Sequence, residues 1–295
     1  MNPGTPAPPE ENLPPQDSSR LPWAAVVWFG LLLVACYAPV LIRLVRQWST
    51  DGDMGHGFFV PLVAGYIVWQ RRHQLAHTSP SPNWWGLAVI AWGAAQLYLA
   101  TLGAELFLAR TAFIVSLIGI VLLLGGLPIL RIVAFPILLL FFMVPIPAIV
   151  YNQITFRLQL LASSVAETAL SFFGVPVLRE GNILRLPNQS LSVVEACSGI
   201  RSLLTLSFLS LVYAYFFDRK VWMRWVLLAA AVPVALVANA SRVTISGLLS
   251  EVNPKLAEGL FHEAAGWLVF MVGLVLVILV HWVIDKGYRL LYARK

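Results

Sequence analysis

Roughly eight apolar runs, most of them about 20 residues long, follow one another along this chain with little polar sequence between them. As an α-helix, a run of about 20 residues is about 30 Å long, which matches the hydrocarbon core of a bilayer. The runs lie at about 22–42, 58–70, 84–103, 106–125, 129–149, 198–217, 222–247 and 262–284. The expected fold class is an all-α polytopic membrane protein with about eight transmembrane helices. Composition agrees, since 59% of residues are hydrophobic and only 12% are charged. A soluble domain of this size needs about a quarter of its residues charged to cover its surface.

The rest of the chain reads as appendages to that domain. Residues 1–21 are rich in proline and polar groups and predict a disordered cytoplasmic tail. Glu10 and Glu11 do not form the basic start of a cleaved signal peptide, so the first apolar run is expected to be retained. The transmembrane domain is placed at 22–285 and a basic cytoplasmic tail at 286–295. Within the domain, 150–197 predicts an extracytoplasmic segment. Apolar residues recur there at helical spacing over 151–174, which suits an amphipathic helix near the interface. Alternation around Gly181 and Asn182 then predicts a small β-hairpin.

Basic residues set the expected orientation. Arg71 and Arg72, then Arg131, then Arg219, Lys220 and Arg224, and finally Lys286, Arg289, Arg294 and Lys295 fall in alternate connections or at their edges. Eight spans with a cytoplasmic N-terminus put all four groups inside, as the positive-inside rule requires. The net charge of +6 therefore reports topology rather than a nucleic-acid partner. The partner that composition demands is the lipid bilayer.

Topology then filters the reactive residues. Of five histidines, His73, His77 and His281 fall on or near the cytoplasmic side, while His56 and His262 face outward. Cys197 opens the sixth run, Arg242 nears the end of the seventh, and His262 opens the eighth. Successive descents and ascents of about 30 Å return all three to one outer layer. Arg201 is at i+4 from Cys197, and Asn239 is at i−3 from Arg242, so each pair shares a helix face. A thiol at a helix N-terminus beside guanidinium groups is expected to ionise readily. Nucleophilic cysteine, proton-shuttling histidine and oxyanion-stabilising arginine together suit acyl transfer through a thioester. Taken singly, each residue has a blander role: a packing thiol, an interfacial histidine, a snorkelling arginine.

Competing chemistries lack their residues. His262–Glu263 is followed at i+4 by Gly266, so there is no H-E-x-x-H zinc site, and two cysteines form no zinc cluster. No metal and no cofactor is expected. No Asp lies within an apolar core, and no G-x-S-x-G is present. A Cys36–Cys197 disulfide is not expected, because Cys36 sits among lipid-facing residue types.

The stretches EACSGIRSLLTLS at 195–207, ANASRVTIS at 238–246, FHEAAGW at 261–267 and HGFFVPLVAGYIVW at 56–69 resemble the motifs of the exosortase/archaeosortase family. The resemblance covers about 22–285 and assigns the catalytic roles to Cys197, Arg242 and His262. Ser198, Arg201 and Asn239 stand beside them as candidates for substrate contact or support. The resemblance implies a cysteine protease or transpeptidase of the bacterial inner membrane, with its active site on the periplasmic side. The implied partners are exported proteins ending in a Pro-Glu-Pro-like motif, a transmembrane helix and a basic tail. The other function to weigh is a non-enzymatic transporter or assembly component for exported polysaccharide. His56 competes with His262; its neighbours Gly55 and Gly57 suggest a flexible turn, and the usual serine before it is Gly55 here.

Overall fold

A computed structural model describes residues 22–187, 189–193, 199–252 and 260–292. It is helical apart from one small sheet. The helices are α1 (Trp23–Thr50), α2 (Phe59–Gln70), α3 (Arg72–His77), α4 (Trp85–Leu102), α5 (Leu106–Leu139), α6 (Ala148–Phe172), α7 (Gly199–Phe217), α8 (Val221–Val252) and α9 (Leu260–Tyr292). Short 3-10 helices occupy Gly52–Phe58 and Leu140–Met143. The chain forms two compact units, one of residues up to Leu44 with Val60–Phe141, the other of Val45–Phe59 with the residues from Phe142 onward.

Among the described residues, six helical stretches are long and apolar enough to cross a bilayer: Trp23–Thr50, Trp85–Leu102, Leu106–Met143, Ile200–Phe217, Val221–Glu251 and Gly266–Leu291. The sequence predicts eight, and two places account for the difference. Helix α2 has 12 residues, about 18 Å, which is short of the hydrocarbon core. The runs expected at 106–125 and 129–149 are joined in α5, interrupted where Gly126 leaves helical geometry at φ 70° and ψ −169°. The second of these runs ends at Met143, because Pro145 and Pro147 prevent the helix from continuing. Helix α1 runs past its expected end at 42 to Thr50, so part of the expected outward connection is helical.

In the first unit, small residues let α4 and α5 approach closely, as membrane helices commonly do. A Cβ at Gly86 would lie 2.3 Å from the Leu123 backbone nitrogen, and one at Gly93 would lie 2.3 Å from Ser116 Oγ. Tyr37 of α1 shares a 2.8 Å hydrogen bond with Ser116, and Leu33, Tyr37 and Ala112 form a small buried cluster. Cys36 is an exposed free thiol.

In the second unit, α7, α8 and α9 pack around Leu206, Met223, Leu227, Ala231 and Val277. Charged groups close one end of this bundle. Lys220 pairs with Asp285 at 2.7 Å, Arg289 joins Asp285 at 2.7 Å, and His281 Nε2 lies 3.2 Å from Asp218. Arg242, Gly266 and the first turn of α7 lie at the opposite end.

The predicted hairpin is present and gains a third strand. Strands β1 (Leu178–Glu180), β2 (Ile183–Arg185) and β3 (Ser190–Ser192) form an antiparallel sheet in sequence order. Glu180 pairs with Ile183, leaving the two-residue turn Gly181–Asn182. Gly181 has φ 66°, a left-handed geometry that suits glycine and sets the hairpin twist. Leu184, Leu186, Leu191 and Val193 pack the sheet against Ala166 and Leu170 of α6 and Val243 of α8. Ser163 Oγ donates to the Gly181 carbonyl at 3.0 Å, and Asn182 Nδ2 donates to Gln159 at 3.2 Å. The expected amphipathic helix is thus α6, which holds the sheet on one face and leaves Ile149, Phe156, Leu161 and Phe172 exposed on others.

Candidate active site

Arg242 lies on α8 with its guanidinium against α9. A Cβ at Gly266 would stand 3.0 Å from Arg242 Cζ and 3.1 Å from Nη2, so glycine gives the guanidinium a close seat that any larger residue would crowd. Gly266 follows His262 by one helical turn on the same face of α9. Ser202 of α7, the buried Asn239 and Arg242 of α8, and Gly266 and Phe270 of α9 line one crevice. Its free volume of about 10 Å³ holds about one water molecule. Arg242 and Asn239 therefore share a helix face, as their spacing predicts, and that face meets both neighbouring helices.

His262 belongs to the first turn of α9. Cys197 and Ser198 lie outside the described residues. The chain on either side of them is anchored. Val193 is fully buried in the cluster that contains Val243, and its backbone N–H donates to the Asn182 carbonyl at 3.0 Å. Ile200, in the first turn of α7, is 1% exposed.

Three arginines of the second unit each carry an acidic partner within the chain. Arg179 pairs with Glu167 at 2.8 Å and Arg185 with Glu180 at 2.7 Å, which are ordinary surface pairs. Arg201, a candidate for substrate contact or support, holds Asp53. Its Nε and Nη2 each donate to Asp53 Oδ1 at 2.7 Å. Tyr151 of α6 donates its hydroxyl proton to Asp53 Oδ2. Burial, followed by that hydrogen bond and the nearby carboxylate charge, raises the Tyr151 pKa far above that of a solvated phenol. Sequence reasoning missed Asp53 and Tyr151. The available signal was the pair Asp51 and Asp53, two carboxylates just before the motif at 56–69 in a chain with only 14 acidic residues.

His56 sits in the 3-10 helix Gly52–Phe58, which Asp51 caps by accepting from the Asp53 N–H at 2.9 Å. The expected flexible turn is instead packed: a Cβ at Gly57 would lie 2.5 Å from the Trp48 indole. His56 is 8% exposed, and its Nε2–H donates to the Phe142 carbonyl at 3.1 Å. Burial pushes its pKa down, while the carbonyls of Phe142 and Asp53 partly oppose this. A histidine held neutral in the folded state, but with its ordinary pKa of about 6.5 when unfolded, binds fewer protons folded than unfolded. Its contribution to stability is present above about pH 6.5 and is lost as pH falls below that value toward the folded pKa. The unfolding midpoint in detergent should therefore fall between about pH 7 and pH 5, and His56→Gln should flatten that slope. An unchanged slope in His56→Gln would show that His56 does not titrate on unfolding.

The long apolar helices and the polar groups gathered at one end of a three-helix bundle define a multi-pass helical membrane protein. The family model described as transmembrane exosortase (Exosortase_EpsH) matches residues 48–279, and the chain belongs to that family. The matched stretch includes Cys197, Arg242, His262 and His56, and omits the N-terminal tail. No curated protein and no solved structure matches the chain.

Proposed function

We propose that this transmembrane exosortase is a cysteine protease/transpeptidase that cleaves C-terminal sorting signals of the Pro-Glu-Pro type from exported proteins. Cleavage takes place at the outer face of the bacterial inner membrane and passes through a thioester on Cys197. The observation that carries this reading is the seat of the Arg242 guanidinium, on Gly266 one turn from His262 and in a crevice that the first turn of α7 also lines. Three peptide units separate Cys197 from the anchored Ile200, a reach of about 11 Å at most. With α2 and both halves of α5 read as crossings, the chain has eight spans. All four basic clusters then lie in the cytoplasm with both termini.

In this mechanism the Cys197 thiolate attacks the scissile carbonyl, and Arg242 stabilises the oxyanion. The C–N bond breaks as protonated His262 gives its proton to the leaving amine, and the acyl group remains on sulfur. Neutral His262 then takes a proton from an amine, hydroxyl or water, which attacks the thioester and releases the thiolate. An apolar groove between α6, α7 and α8 begins at Ile200 and continues past Leu203, Leu204 and Val232, and it suits lateral entry of an apolar helix.

The test is chemical capture. A reporter ending in a Pro-Glu-Pro motif, an apolar helix and an arginine-rich tail is co-expressed with the chain, and membranes are treated with hydroxylamine. A hydroxamate at the new reporter C-terminus is expected. An unprocessed reporter beside well-accumulated protein overturns the substrate class and favours a transport or assembly role. A processed reporter that never gains a hydroxamate overturns the thioester.

A further inference from the structure

The carboxylate of Asp53 joins three elements of the second unit, and the proposed acyl transfer does not use it. Both oxygens are engaged: Oδ1 receives the Arg201 guanidinium from α7, and Oδ2 receives the Tyr151 hydroxyl from α6. Asp51 fixes the Asp53 backbone by accepting its N–H at 2.9 Å. Gly52 allows the approach, because a Cβ there would lie 3.0 Å from Arg201 Nη2. The Asp53 side chain is 19% exposed and that of Arg201 is 52% exposed. An ion pair so open to solvent contributes little to stability. Its main consequence is geometric. Arg201 stands in the first turn of α7, next to buried Ile200 and four residues after Cys197. Asp53, itself held by Tyr151 of α6, grips that side chain and so fixes the direction in which α7 starts.

We propose that Asp53 and Tyr151 are positioning residues for Cys197, acting through Arg201. The proposal rests on Cys197 being the nucleophile, as argued above. It requires the grip to affect turnover rather than substrate affinity, since Asp53 and Arg201 are engaged with each other. A displacement of about 1 Å at a reacting atom costs up to about 100-fold in rate.

The experiment uses the full chain in a Cys36→Ala background, so that Cys197 is the one remaining thiol. Reporter processing gives kcat and KM, and iodoacetamide alkylation read by intact mass gives the reactivity of Cys197 against pH. Asp53→Asn and Arg201→Gln should each lower kcat about tenfold with KM within about twofold. The double variant should be no slower than either single one, because both remove the same contact. Tyr151→Phe should lower kcat by about threefold, and Asp53→Glu should recover part of the Asp53→Asn loss. The alkylation profile should shift in Asp53→Asn and Arg201→Gln, read on the folded fraction isolated by size exclusion, because unfolded molecules carry a thiol of ordinary pKa, about 8.5. Full kcat in Asp53→Asn, losses that multiply in the double variant, or unshifted alkylation profiles would each overturn the proposal. Cys197→Ala is run in parallel. If it processes the reporter, the nucleophile assignment and the positioning role fall together. If it is inactive while Asp53→Asn has full kcat, only the positioning role falls.

Discussion

Cys197→Ala should abolish reporter processing, and Arg242→Lys should lower kcat by about 10²–10³-fold while the protein still accumulates in the membrane. The first result follows from the proposed thioester, which needs a sulfur nucleophile. The second follows from geometry. The guanidinium sits close against Gly266 and lines the crevice beside Ser202 and Asn239. Lysine keeps the charge but replaces a planar fork of donors with a single ammonium on a flexible stem. Losing one oriented donor at a developing oxyanion costs about 3–4 kcal/mol in the transition state. Gly266→Leu provides the independent check. It leaves Arg242 in the sequence and fills the guanidinium's seat, so it should approach the Arg242→Lys loss. Gly266→Ala should be milder, because its 3.0 Å contact is with the end of a flexible side chain. The measurement is kcat on the reporter at matched membrane abundance. Full activity in Gly266→Leu would show that the observed seat is not the working position of Arg242.

The returns of α7, α8 and α9 were legible because they depend only on helix length and on which residues are apolar. That reading brought Arg242 back toward Ser202 in the first turn of α7 and Gly266 in the second turn of α9, and Asn239 onto its face. The hairpin was legible from the Gly181–Asn182 turn between alternating residues, whereas β3 was not. Ser190–Leu191–Ser192 is too short to declare its own period, and it is a strand because Leu184 and Leu191 pair across the sheet. The Asp53 cluster lay beyond sequence reasoning for another reason. Asp53 is 98 residues from Tyr151 and 148 from Arg201, separations at which no periodicity links positions. Helix α2, at Phe59–Gln70, matches the run expected at 58–70, but 12 residues are too few for length alone to make it a span.

Gly126→Val should remove most of the folded protein. Two costs coincide at this position. Its φ of 70° is a region that β-branched residues rarely adopt. A Cβ would also lie 1.8 Å from the Ser81 carbonyl oxygen, far inside contact distance. Ser81 cannot readily retreat, because its own N–H donates to the Gly125 carbonyl at 3.1 Å while Asn83 N–H donates to Leu122 at 3.2 Å. The clash is therefore with backbone held by hydrogen bonds, not with the end of a movable side chain. Strain and clash together should destabilise by about 3–5 kcal/mol. Gly30→Ala is the matched control, since Gly30 has negative φ inside α1 and nothing within 4 Å of its Cβ position. Alanine there should be neutral or stabilising by about 1 kcal/mol. Membrane abundance and the unfolding midpoint in detergent separate the two variants. If Gly126→Val accumulates and melts like Gly30→Ala, the α5 break does not require glycine. The joining of two expected helices at that residue would then need another cause.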